Sequence, residues 1–64
     1  MAEIKITLKA ARHNASLTQQ DVVEILHISP NTLVNWENGK TKIDAETLNR
    51  LCDIYQIPIE NIRL

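Results

Sequence analysis

The chain has 64 residues, a formal net charge of −1, one tryptophan, one tyrosine and no phenylalanine. A chain this short allows one domain with an aliphatic core, and such a domain buries only about 60% of the surface its unfolded form exposes. The single Cys52 excludes an internal disulfide and fits a reducing, cytosolic setting, while the lack of CxxC or Cys/His spacing argues against zinc.

No apolar run approaches the roughly 18 residues of a membrane span, and no signal peptide is expected. The slightly acidic sum is unlike that of most nucleic-acid binders. Its distribution is uneven, however. Between Asn38 and Ile43 stand two lysines and no acid, whereas Asp44, Glu46, Asp53 and Glu60 fall in the C-terminal third.

In chain order, Met1–Ile6 alternates weakly, with Ile4 and Ile6 flanking Lys5, and reads as an extended lead-in or an edge strand. Thr7 is the cap of a first helix ending near Asn14, with Leu8, Ala11, Arg12 and Ala15 at helical spacing. If that helix is extended backward, Lys5, Lys9 and His13 share one side of it, which reads as a solvated polar face rather than a phosphate-binding stripe.

A start signal then appears twice: a polar cap with an apolar residue before it and another five positions after that one. Leu17, Thr18 and Val22 form the first copy, with Asp21 three after the cap. The helix from Thr18 to Leu26 buries Val22 and Leu26, with Val23 beside them, and leaves Gln20, Asp21 and Glu24 outside. Ile25 fits neither side, so it is a satellite of the core or part of a contact surface.

Ile28, Ser29 and Leu33 form the second copy, with Pro30 at the first helical position, where its missing N–H is harmless. This third helix runs from Ser29 to about Asn38, and Gly39 supplies a left-handed end. Two capped helices so close together form a helix-turn-helix unit, whose second helix can enter a DNA major groove.

Leu33 and Trp36 point inward and Thr32 sits at the boundary. Pro30, Asn31, Val34, Asn35 and Asn38 form the outer face, with no charge among them. A merely solvated face favours glutamate and lysine, which are better helix formers than asparagine. Asparagine amides suit the N6 and N7 edge of adenine, and Val34 suits a thymine methyl.

A third copy of the start signal, Ile43, Asp44 and Leu48, opens a fourth helix that runs to about Tyr55 and buries Leu48, Leu51, Cys52 and Tyr55. Cys52 is therefore a small core residue rather than a reactive thiol. Pro58 opens a last turn or short fifth helix. Ile57, Ile59, Ile62 and Leu64 exceed what one small core needs, which suggests a dimer contact. An enzyme is not expected, because His13 and His27 lie on different elements and no carboxylate pair, nucleophile with base or glycine-rich phosphate loop is present.

The segments TQQDVVEIL, HISPNTLVNWENGKTK and ETLNRLCDIYQI together resemble the Cro and phage-repressor type helix-turn-helix family, from about Thr7 to Ile62. Length and the LKAARHNASLTQ opening are similar to those of small phage and prophage regulators. The resemblance implies base contacts from Pro30, Asn31, Val34 and Asn35. It implies phosphate contacts from Gln19, Ser29, Asn38, Lys40 and Lys42, with Gln19 also buttressing the third helix. Arg12 and Glu37 match an internal ion pair.

This chain departs from the family pattern at four positions. Ser16 and His27 stand where glycine is common, implying strained or differently shaped turns. Val23 stands where a small alanine is usual at the helix crossing. Pro30 replaces a residue that often donates a bond to a base.

The expectation is an all-α, compact four- to five-helix, lambda-repressor-like DNA-binding domain over residues 1–64, with its helix-turn-helix unit at about 18–37. It is expected to act in the cytoplasm, at the nucleoid, without cofactor or metal, as a sequence-specific transcriptional regulator that binds a palindromic double-stranded operator as a homodimer. The alternative is a protein-interaction module, such as an antitoxin or anti-regulator component.

Overall fold

Each helix begins on a side chain that satisfies one of its free amides. The computed structural model describes residues 5–64. Among these, α1 spans Leu8–Asn14, α2 Gln19–Leu26, α3 Pro30–Glu37 and α4 Ala45–Tyr55, followed by a 3-10 turn at Ile59–Asn61. Thr7, Thr18, Ser29 and Asp44 stand just before the four helices, each accepting from the amide three residues on. At α2 the arrangement is reciprocal, since the Asp21 carboxylate also accepts from the Thr18 amide at 2.9 Å.

The helix ends share one backbone device. After α1, α2 and α4 a left-handed residue follows, Ser16 (φ 60), His27 (φ 56) and Gln56 (φ 55), and after α3 Gly39 does the same (φ 73). The amide of the next residue then reaches back five positions, from Leu17 to Arg12, Ile28 to Val23, Lys40 to Asn35 and Ile57 to Cys52. Ser16 and His27 thus keep the shape a glycine would give, so their turns are strained rather than reshaped. Gln56 is a third such position.

Leu17, Ile28 and Ile57 all pack on the core, so an apolar residue anchors each of these turns. Leu17 and Ile28 also precede the next cap, closing one helix and opening another. This double use is why α1, α2 and α3 are joined by so few residues.

Val22, Leu33 and Leu51, from α2, α3 and α4, are the most fully buried side chains. Leu8, Ala11, Leu26, Leu48, Cys52 and Tyr55 surround them, and Val23 is taken into the same cluster despite its bulk. Burial raises the Cys52 thiol above its ordinary pKa, with Asp53 adding to the effect, which keeps it protonated and inert.

Of the extended lead-in expected at Met1–Ile6, the first four residues lie outside the described ones. Ile6 forms a parallel bridge with Ile62, through Ile6 N–H to Asn61 O and Arg63 N–H to Ile6 O, both 2.8 Å. This pairing changes the reading of the C-terminal isoleucines. Ile62 enters the core and Ile57 packs against it, leaving only Ile59 (41%) and Leu64 (78%) of the four as exposed large apolar residues.

Candidate nucleic-acid interface

The outer face of α3 is built by exclusion. Leu33 is fully buried, which turns Asn31 and Pro30 outward and leaves Val34 and Asn35 half-buried on the flank. Asn38 is exposed at the C-terminal cap, and exposed Lys40 and Lys42 follow it. The base-facing set named from sequence is therefore graded, with Asn31 and Pro30 open and Val34 and Asn35 partly covered.

The one acid of α3 does not reach this face. Glu37 accepts from Arg12 Nε at 2.8 Å, and the side chains of the pair are only 3% and 6% exposed, respectively. Arg12 Nη2 also approaches the carboxylate at 3.4 Å, while Nη1 donates to the Leu17 carbonyl at 3.0 Å. Gln19 Nε2 adds a third donor to Glu37, at 3.0 Å. The network ties α1, the first residue of α2 and the last of α3 into one frame, with the buried charges paired and hydrogen-bonded.

One of its bonds carries over from the resemblance and another has no signal in the sequence. The resemblance implies that Gln19 is a phosphate ligand and a buttress of the third helix; its amide here donates to Glu37 at the end of α3, with its second N–H not used by that bond. The Arg12–Leu17 carbonyl bond carries no residue-type signal, because any residue supplies a carbonyl. Ser29, expected at a phosphate, has its hydroxyl shared between the Thr32 amide (3.3 Å) and the Thr32 hydroxyl (2.8 Å).

Tyr55 borders the frame. Its hydroxyl is buried and has no hydrogen-bond partner among the described residues. Burial first, then the nearby Glu37 charge, pushes its pKa up to about 12.

Among the described residues, no group of His, Cys, Asp and Glu could hold a metal ion, and no helix is long and apolar enough to cross a membrane. A groove of about 530 Å³ is lined by the ends of α1 and α4 and the turns that follow them, including Ala11, Leu17, Ile54 and Gln56, and by no residue of α3. It is therefore separate from the amide face.

The model of the family described as helix-turn-helix domain matches residues 6–62. The chain belongs to that family. Its members of the Cro and phage-repressor type are DNA-binding regulators rather than enzymes, and α2 and α3 are the two helices of the unit. The chain is also 38% identical over 50 residues to the HTH-type transcriptional regulator ImmR of Bacillus subtilis (strain 168). That match covers 78% of this chain but only 39% of the relative's length.

Proposed function

We propose that the chain is a sequence-specific transcriptional regulator that inserts α3 into the major groove of double-stranded DNA, and that two copies bind a palindromic operator in the cytoplasm. The observation that carries this reading is the uncharged face of α3. Burial of Glu37 against Arg12 removes the one acid of that helix, so Asn31, Asn35 and Asn38 present amides free of competing carboxylate. Asn31 and Asn35 read adenine edges, and Val34 and the Pro30 ring make apolar contacts with bases. Lys40 and Lys42 neutralise phosphates. Gln19, Ser29 and Asn38 add neutral phosphate bonds, Gln19 through the N–H that Glu37 leaves free.

Two lysines per copy give about four neutralised phosphates per dimer, and a slope of log K against log salt near −4. A slope near −10 contradicts this set of contacts. The broader test is a gel shift with the DNA flanking the chain's own gene. Binding that resists non-specific competitor supports the reading. No binding at micromolar protein sinks it and favours the protein-interaction module instead.

A further inference from the structure

Arg63 has a backbone that the fold uses and a side chain that it does not. Its amide donates to the Ile6 carbonyl at 2.8 Å, while its guanidinium is exposed and pairs with no acid among the described residues. The bridge explains where it points. Ile62 enters the core and Ile6 packs against it, so the alternation of an extended backbone turns their neighbours Thr7 and Arg63 to the other side.

There Thr7 and Arg63 line a hollow of about 210 Å³ together with Asn38 and Gly39, at the end of α3. Three donors from three parts of the chain thus border one recess. Thr7 Oγ1 accepts from the Ala10 amide at 3.1 Å to cap α1, which leaves its own proton unused. The exposed Asn38 side chain makes no hydrogen bond among the described residues, and Arg63 brings the charge. Glu37 also lines the hollow, but its carboxylate is held by Arg12 and Gln19 and its side chain is only 3% exposed. Leu8, Trp36 and Leu64 supply an apolar wall.

We propose that this hollow takes a phosphate of the DNA backbone, with Arg63 as its cation and Thr7 and Asn38 as neutral donors. The inference rests on the DNA-binding reading above and extends its contacts to the C-terminal segment. The mixed lining favours a phosphodiester over a free anion: the donors suit its charged oxygens, and the apolar wall suits the deoxyribose beside them. Position agrees. Asn38 belongs both to this hollow and to the phosphate-facing set, and Lys40 follows it by two residues, so the hollow continues the track that leaves α3.

A third cation per copy changes the salt dependence. The two lysines alone give a slope near −4 for two copies; Arg63 takes the neutralised phosphates from about four to about six, and the slope to between about −5 and −6. Affinity of the full chain for a duplex selected from random DNA is followed across salt for the wild type, Arg63→Gln and Arg50→Gln. Arg50 is exposed on α4 and does not line the hollow, so it controls for charge alone. The series is repeated with a neutral methylphosphonate at single backbone positions, and with inorganic phosphate replacing chloride at equal ionic strength.

Arg63→Gln should return the slope to near −4 and weaken binding roughly tenfold per half-site, the scale of one hydrogen bond to a charged group. The loss should be the same on cognate and unrelated duplexes, because a phosphate contact carries no sequence information. Arg50→Gln should keep the wild-type slope. One methylphosphonate position in each half-site should weaken the wild type and leave Arg63→Gln unaffected, and inorganic phosphate should compete no better than chloride.

The proposal is overturned if wild type and Arg63→Gln share one slope, if Arg50→Gln loses as much, or if no backbone position distinguishes the two proteins. Competition specific to inorganic phosphate and lost in Arg63→Gln overturns it too, by assigning the hollow to a free anion. In each case specific binding persists and the DNA-binding reading stands. A wild type that binds no duplex removes both.

Discussion

After α1, α2 and α4 the chain turns on Ser16, His27 and Gln56 and then buries Leu17, Ile28 or Ile57; after α3 it turns on Gly39 and exposes Lys40. The hydrogen bonds are the same, but the restraint is different. At the first three ends an apolar anchor holds a side-chain-bearing residue in a left-handed conformation that costs about 1–2 kcal/mol. At the fourth end there is no such anchor, and a glycine adopts the turn without strain. Space is not the reason for glycine, because a Cβ there would meet nothing within 4 Å. The end of α3 is thus relieved of core duty, which leaves Lys40 to face outward.

The largest expected effect tests the frame that holds the end of α1 against the end of α3. Arg12→Met leaves Glu37 buried without its charge partner and removes the bond to the Leu17 carbonyl, and should cost about 3–5 kcal/mol in urea unfolding. A loss below 1 kcal/mol would mean that the pair is not buried as described.

Next comes the anchor itself. Ile28→Ala should cost about 1–2 kcal/mol, below the range for fully buried isoleucines because Ile28 is half-covered, whereas Lys40→Ala should leave stability unchanged. Equal losses at the two positions would erase the distinction between anchored and unanchored ends.

Gly39→Ala should cost about 1 kcal/mol through backbone strain alone. Ser16→Gly, His27→Gly and Gln56→Gly should each stabilise by about 0.5–1 kcal/mol, since relief of strain exceeds the added freedom of the unfolded chain. Thermal melts of the four variants check both signs. Destabilisation by all three glycines would show that the left-handed side chains are not strained.

The smallest effect is in pH and separates the helix starts. Hydrogen bonds from the Thr18 amide and hydroxyl hold Asp21 below its ordinary pKa, and those from the Thr47 hydroxyl and amide do so for Asp44. Each lowered value favours the folded state above the unfolded pKa of 3.8, and that contribution is lost as pH falls through the folded value. Asp44→Asn should keep the cap and flatten part of this acid loss in unfolding curves between about pH 5 and 2. A slope identical to the wild type's would remove Asp44 from the account. Tyr55 has the opposite sign: its contribution is present below the unfolded pKa of 10 and fades as pH rises toward about 12.

The starts of the helices were legible because each depends on residues adjacent in sequence: a polar cap, the amide three residues on and an apolar neighbour. The left-handed ends were partly legible. Ser16 and His27 stood out against the family's glycines, whereas Gln56 had no such contrast and shows only in the Ile57–Pro58 sequence that follows it.

Long-range arrangements were less visible. Ile62 looked like surplus apolar surface because its partner, Ile6, lies at the other end of the chain. Val34 and Asn35 looked as open as Asn31, since helical periodicity places residues on a face but does not show how far a neighbouring element covers its flank. The buried Tyr55 hydroxyl, without a hydrogen-bond partner among the described residues, follows from how the helices pack together. No local pattern records that.

The central claim is that the amide face of α3 reads bases. Selection from random duplexes, run in parallel on the wild type and the Asn31→Ala variant, tests it most directly. The wild type should enrich inverted half-sites containing A·T pairs at fixed positions, and Asn31→Ala should relax preference at one of those positions while keeping the fold. Enrichment of G·C-only half-sites, or identical motifs from the two proteins, would contradict it.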